Sequence, residues 1–195
     1  MATQTLRLTP HTDPTPAVVE VARELSGAQW CARFPGSSLI SDLGANFRSS
    51  VERFKAAMET AGIAMRPSAT YRPVERAFLM HYCVKVAGGS MAPTEIPTLD
   101  GVNVEWDHGT LEKSRSAARA MANGYVIVYP PAYPTRHSLR LAIDMTLSSF
   151  APKTIKDAQG NDVEIKKEPD LYAVGASYGV NKLVSDRPHW SDNGQ

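Results

Sequence analysis

The sequence predicts an α+β fold, a small antiparallel sheet packed against several helices. Two observations predict it. The patterns with helical period come first along the chain, at 41–61, 74–89 and 111–123, whereas most strand-like runs crowd into the last third. The longest pattern is also the cleanest: Leu43, Phe47, Val51, Phe54 and Met58 recur at steps of four, four, three and four and make one apolar stripe. At 195 residues the chain divides into about 1.3 units of roughly 150 residues, which reads as an extended arm over 1–15 and a single domain over 16–195.

In chain order, PAVVEVARELS at 16–26 reads as a short helix. The helix of 41–61 has Ser41 or Asp42 to cap its start and Gly62 to end it. An extended segment, Ile63–Tyr71, leads to Pro73, a residue favoured at a first helical position because its missing N–H would be unpaired there anyway. The helix that follows is stopped by Gly88-Gly89. Residues 90–110 read as a loop, and 111–123 as a helix with Gly124 as its stop. YVIVY at Tyr125–Tyr129 is β-branched and aromatic and reads as a strand broken by PPAYP. Leu141–Leu147 reads as a buried strand, and 153–166 as a hairpin turning at Gln159-Gly160-Asn161. Asp170 is placed to cap a short helix, and a last short segment surrounds His189-Trp190.

Charge excludes one class of partner. Twenty-one Lys and Arg against 20 Asp and Glu leave +1, with no basic excess to neutralise phosphates, so a nucleic-acid partner is not expected. No apolar run approaches the roughly 18 residues of a membrane span. The start, MATQTLRLTPHTDPTP, is interrupted by Thr, Pro, His and Asp and lacks the apolar stretch of a secretory signal, which predicts synthesis in the cytoplasm without a classical leader, or a tag or processed leader already removed. Cys31 and Cys83 lack the spacing of a zinc ribbon; they read as two buried thiols, or as one disulfide in an oxidising compartment.

Three segments carry chemistry: Ser68-Ala-Thr-Tyr71-Arg72-Pro73, the run from His137 to Asp144, and Asp186-Arg-Pro-His189-Trp190. Two imidazoles and one carboxylate make a three-ligand zinc site with a fourth position left for water. His137 and Asp144 are seven apart, an odd separation that in one regular strand points side chains to opposite faces. They can share a metal only if His137 sits on a bend before the strand, and Pro131 and Pro134 favour such a bend. His189 then arrives from a neighbouring segment. Asp186, three residues earlier, is placed to act as general base on the water.

The order and wording of these segments resemble the zinc D-Ala-D-Ala carboxypeptidase family, with its D-Ala-D-Ala dipeptidases and the L-alanyl-D-glutamate endopeptidases of phage endolysins, within the wider hedgehog and lysostaphin-like zinc superfamily. The family pattern is S-x-H-x-x-G-x-A-x-D, then a Glu or Asp three residues before a second His often beside Trp, all preceded by a Tyr-Arg dipeptide. His137, Ala142, Asp144, Asp186, His189, Trp190, Tyr71 and Arg72 fall on it in order, over roughly residues 40–192. The resemblance implies a hedgehog-like fold and a Zn²⁺ ion held by His137, Asp144 and His189. It implies Asp186 and Arg72 as catalytic residues, Arg72 stabilising an oxyanion or binding a substrate carboxylate. Tyr71 and Trp190 are implied at the substrate. The implied activity is hydrolysis of D-amino-acid-containing stem peptides of peptidoglycan, as a carboxypeptidase or endopeptidase. An antibacterial effector with an immunity or secretion-carrier partner, or a phage lysin, would deliver such an enzyme to the wall or periplasm. The alternative is a catalytically silent zinc-fold module that binds cell-wall peptides. Two positions depart from the pattern: Thr135 replaces the serine, and Arg140 replaces the glycine, which predicts a different loop path because arginine does not take positive φ cheaply.

Other candidates are weaker. Asp107 and His108 either line the cleft near the metal or belong to the entry of the helix from Leu111, with Asp107 or Thr110 as its cap. His81 lies in an apolar run and reads as packed, and His11 falls in the arm. Lys153–Lys167 reads as a solvated hairpin, or less plainly as a wall-binding flap.

Overall fold

A computed structural model describes residues 22–195. The expected arm, His11 and most of the expected first helix lie outside the described residues.

The apolar stripe forms helix α1 (Ala45–Thr60), which buries Phe47, Val51, Phe54 and Met58. Gly62 ends it at φ 69°. Neither Ser41 nor Asp42 caps it: both fall in a 3-10 turn, Ile40–Asp42, and the cap position is Gly44. Gly44 N instead donates to the Arg140 carbonyl at 2.9 Å, which ties the start of α1 to a loop nearly a hundred residues later.

Strand β2 (Ala64–Ala69) follows, then α2 (Val74–Gly88), preceded by Pro73 and closed by Gly89 in the left-handed conformation. The 90–110 segment is not wholly loop. It contains a 3-10 turn at Pro93–Glu95 and strand β3 (Val104–Glu105), which pairs in parallel with β1 (Glu24–Leu25). That pairing corrects the helix expected over 16–26: in its described part the backbone is spent on a ladder.

Helix α3 (Leu111–Gly124) is capped by Thr110, whose hydroxyl accepts from Lys113 N at 3.3 Å. The strand expected at Tyr125–Tyr129 is absent. Tyr125 ends the helix and is buried, its hydroxyl donating to the Trp30 carbonyl, while Val126 takes φ 54° and Val128 is 77% exposed. Strand propensity is largely the fit of a side chain to a pleated neighbour, and no strand lies beside this run. Gly124 is explained by proximity rather than as a stop, since a Cβ there would meet Cys31 Sγ at 2.8 Å.

The remaining elements are β4 (Ala142–Ser148), the hairpin β5 (Lys153–Lys156) and β6 (Asp162–Ile165), α4 (Asp170–Ser177), β7 (Asn181–Lys182) and β8 (His189–Ser191). Asp170 is the first helical residue rather than the cap, and its carboxylate accepts from the Lys166 and Lys167 amides. The class is therefore α+β, with four helices among the described residues. Its main sheet is antiparallel, in the order β2-β4-β8-β7.

Buried apolar side chains form two clusters. One joins α1, α4, β4, the hairpin and Trp190; the other joins α2, α3, Trp30, Val104 and Trp106. Both cysteines are free, Cys83 being buried with its thiol pushed up to about 12 by burial. No helix among the described residues is long and apolar enough to cross a membrane.

The sheet's two faces explain where the site lies. Ile143, Met145 and Leu147 of β4 are buried against the α1 cluster, so Asp144 points to the other face by alternation. Opposite residues in an antiparallel ladder share a face. Ile143 pairs with Trp190, and Asp144 pairs with His189. One register thus sends an aromatic into the core and a histidine to meet a carboxylate.

Candidate metal centre

His137 does sit on a bend. Residues 136–140 form turns before β4, with Arg140 N donating to the His137 carbonyl at 3.1 Å and Leu141 N to the Arg136 carbonyl at 3.0 Å. The bend removes the parity problem of a seven-residue separation, and His137 Nε2 comes within 3.1 Å of Asp144 Oδ1. His189 Nδ1 approaches the same oxygen to 3.0 Å from the adjacent strand. Donor atoms of the three residues all lie within 4.8 Å of one another, with both histidines buried.

The donor set fits a cation. His189 Nε2 lies 3.1 Å from the Gln195 backbone oxygen, an acceptor only, so this nitrogen carries the proton and leaves the Nδ1 lone pair facing Asp144 in the neutral ring. In the neutral ring the His189 Nδ1 lone pair therefore faces the Asp144 carboxylate, and His137 Nε2, whose Nδ1 is buried without a partner among the described residues, faces the same oxygen. A metal ion resolves this arrangement: ligand atoms ~2.0–2.1 Å from a tetrahedral ion stand roughly 3.3 Å apart. The Gln195 contact is also the kind that orients a ligating ring. Burial raises the Asp144 carboxyl, but hydrogen bonds and charge from His137 and His189 outweigh it and hold the group well below the usual carboxylate range. His137, Asp144 and His189 can therefore hold a metal ion.

Arg72 and Asp186 stand in the same electrostatic neighbourhood. Burial pulls the Arg72 guanidinium below its ordinary value, Asp144 and Asp186 pull it back up, and Arg76 lowers it further. The Arg72 side chain forms no ion pair among the described residues, so it is not spent on a structural bridge. Asp186 Oδ1 is buried with no hydrogen-bond partner among the described residues. An unpartnered carboxylate oxygen is costly to keep, and it is free to receive a proton.

Arg140 corrects the expected loop path. It adopts φ 62°, the left-handed conformation that glycine would take without strain. The cost is offset by its side chain: the guanidinium lies 3.8 Å over the Tyr71 ring and donates to the Asp42 carbonyl at 2.7 Å. Tyr71 is thus covered by Arg140, and its carbonyl accepts from Ser37 N at 2.9 Å. A prediction follows from the balance. Arg140→Ala keeps the left-handed strain of ~1–2 kcal/mol and loses both contacts, whereas Arg140→Gly loses the contacts and the strain. Urea denaturation is expected to find the Gly variant about 1 kcal/mol more stable than the Ala variant; equal stability would remove strain from the account.

Trp190 is not at the substrate surface. It is wholly buried, with its ring 5.8 Å from Phe54 and 5.6 Å from Tyr172, on the face opposite His189. Asp107 and His108 belong to the α3 entry. Asp107 Oδ1 accepts from Gly109 N at 2.9 Å, His108 N donates to Ser114 Oγ at 3.0 Å, and His108 Nε2 lies 3.0 Å from Ser26 Oγ. Neither touches the three donors. His81 is packed as expected, Nδ1 donating to the Pro131 carbonyl at 2.8 Å.

Sequence reasoning missed the residues that hold the donors in place. Arg136 pairs with Asp192 and ties the His137 turn to the segment after β8. Lys182 binds the loop before His189. An arginine beside a motif and a lysine in a two-residue strand carry no spacing signal. Clefts of about 250 and 400 Å³ open elsewhere, beside Trp30 and Arg33 and between α1 and the β5–β6 hairpin, and neither contains a donor.

No family model, curated protein or solved structure matches the chain.

Proposed function

We propose that the protein is a zinc-dependent peptidase acting on D-amino-acid-containing stem peptides of peptidoglycan, on a hedgehog-like fold. The observation that carries the reading is the convergence of His137 Nε2 and His189 Nδ1 on Asp144 Oδ1; Asp186, three residues before His189, has a buried oxygen without a partner among the described residues. Two imidazoles with one carboxylate suit zinc and leave room for a fourth ligand. When bound, the ion lowers the pKa of water from ~16 toward ~7 and polarises a carbonyl.

The chain's own residues supply the rest. Asp186 takes a proton from the attacking water and returns it to the leaving amine. Arg72, charged and free of structural ion pairs, either stabilises the oxygen that gains negative charge or binds the terminal carboxylate of a stem peptide. Asp144, His137 and His189 are held by the sheet register and by the Gln195 and Arg136 contacts, so the ligand set is in place before any substrate arrives. The site of action proposed is the cell wall or periplasm, reached by an effector secretion machine or by phage lysis. An effector would have an immunity or carrier protein as partner.

Incubation with defined muropeptides, followed by mass spectrometry, tests the reading. Products whose masses show a cut at a D-residue, absent after chelation and restored by zinc, are expected. Stoichiometric zinc with every muropeptide intact would instead favour a silent peptide-binding module.

A further inference from the structure

The loop between β7 and β8, residues 183–188, delivers both Asp186 and His189, yet it has almost no core of its own. Val184 is 75% exposed, and Ser185 and Arg187 are exposed as well. Its visible ion pair, Arg187 with Glu168, is at the surface and worth little. Something else must hold its shape.

Lys182 occupies that place. Its ammonium donates to the Leu183 carbonyl, to the Asp186 carbonyl at 2.5 Å and to the His189 carbonyl at 3.1 Å. These three acceptors run from the loop's first residue to the first residue of β8, and an ammonium has three protons to give. The rings of Trp190 and Tyr172 lie 5.7 and 5.9 Å from the same nitrogen. Backbone bonds close the turn around it, from Leu183 N to the His189 carbonyl at 3.1 Å and from Met145 N to the Pro188 carbonyl at 2.8 Å. The side chain is half-buried, so the three carbonyls stand in for water that the ammonium has lost.

We infer that Lys182 is a positioning residue: its ammonium gathers the carbonyls of residues 183, 186 and 189 and so fixes the general base and the second imidazole relative to the first two metal ligands. It touches neither substrate nor ion. The claim rests on the zinc-peptidase reading for what the loop is positioned to do, but the loop's order depends on Lys182 in either case.

The test uses the full chain with Lys182→Met, which keeps the stem and removes the ammonium, and Lys182→Arg, which keeps charge and donors in another shape. Amide hydrogen exchange and zinc affinity, by competition with a chromogenic chelator, are read for both. In Lys182→Met, amides of 183–189 are expected to exchange at least about tenfold faster while those of α1 are unchanged, and zinc to bind about 10–100-fold more weakly, the loss typical of removing a contact behind a ligand. Lys182→Arg is expected to recover part of both, and it carries the test alone if the Met variant does not fold. Unchanged exchange over 183–189 in the folded variants would overturn the inference. A parent protein that binds no zinc, with loop exchange still dependent on Lys182, would sink the metal reading and leave the positioning role standing.

Discussion

On the proposed zinc-peptidase reading, Asp186→Asn is expected to retain zinc and to lose hydrolysis by about 10²–10⁴-fold in kcat, the usual contribution of a general base. The substitution is nearly isosteric, and Asp186 is not among the three residues whose donor atoms converge. The fold and the ion should therefore survive it. What changes is one atom's capacity to accept a proton. In the parent that atom is Oδ1, buried and without a hydrogen-bond partner among the described residues. A carboxamide there can orient a water but cannot take its proton. Zinc content by atomic emission and turnover of a defined muropeptide are the two measurements. Full activity in the variant would remove Asp186 from the mechanism; loss of zinc along with activity would make it a ligand instead.

The second large effect is on stability. Trp190→Ala is expected to cost about 3–5 kcal/mol, the range for truncating a fully buried aromatic. Trp190 has no exposed surface and lies against Phe54 of α1 and Tyr172 of α4. Gly175 is what lets α4 come so close, because a Cβ there would meet the Trp190 ring at 2.7 Å. The hole would open where α1, α4 and the sheet meet, so no single neighbour can fill it. Urea denaturation in the presence of chelator isolates this cost from the stabilisation that a bound ion adds. A loss under about 1 kcal/mol would show that the cluster repacks and that Trp190 is not its keystone. The same result would reopen a surface role for this residue.

Trp190 also shows how far the sequence reaches. Its neighbour His189 is legible because the run from Asp186 to Trp190 falls on a family pattern. The face each would occupy was not, because it depends on which residue of β4 stands opposite, and pairing register is a tertiary fact. The stripe of α1 and the alternation of the hairpin were legible because each is a local period. YVIVY was misread because its propensity had no neighbouring strand to satisfy it. Arg140 was read correctly as costly at a glycine position and wrongly as forcing another path, since the Tyr71 ring and the Asp42 carbonyl that offset the strain come from distant segments. Lys182, Arg136 and Gln195 were silent for the same reason: each acts through backbone or carboxylate groups that only the folded chain brings near.

The central claim is that His137, Asp144 and His189 form one metal site, and zinc titration of chelator-stripped protein tests it most directly. The account predicts one equivalent of zinc bound by the parent, and affinity lowered by at least 100-fold in His137→Ala, whose fold should otherwise persist. No saturable binding by the parent, or the same affinity in His137→Ala, would contradict it.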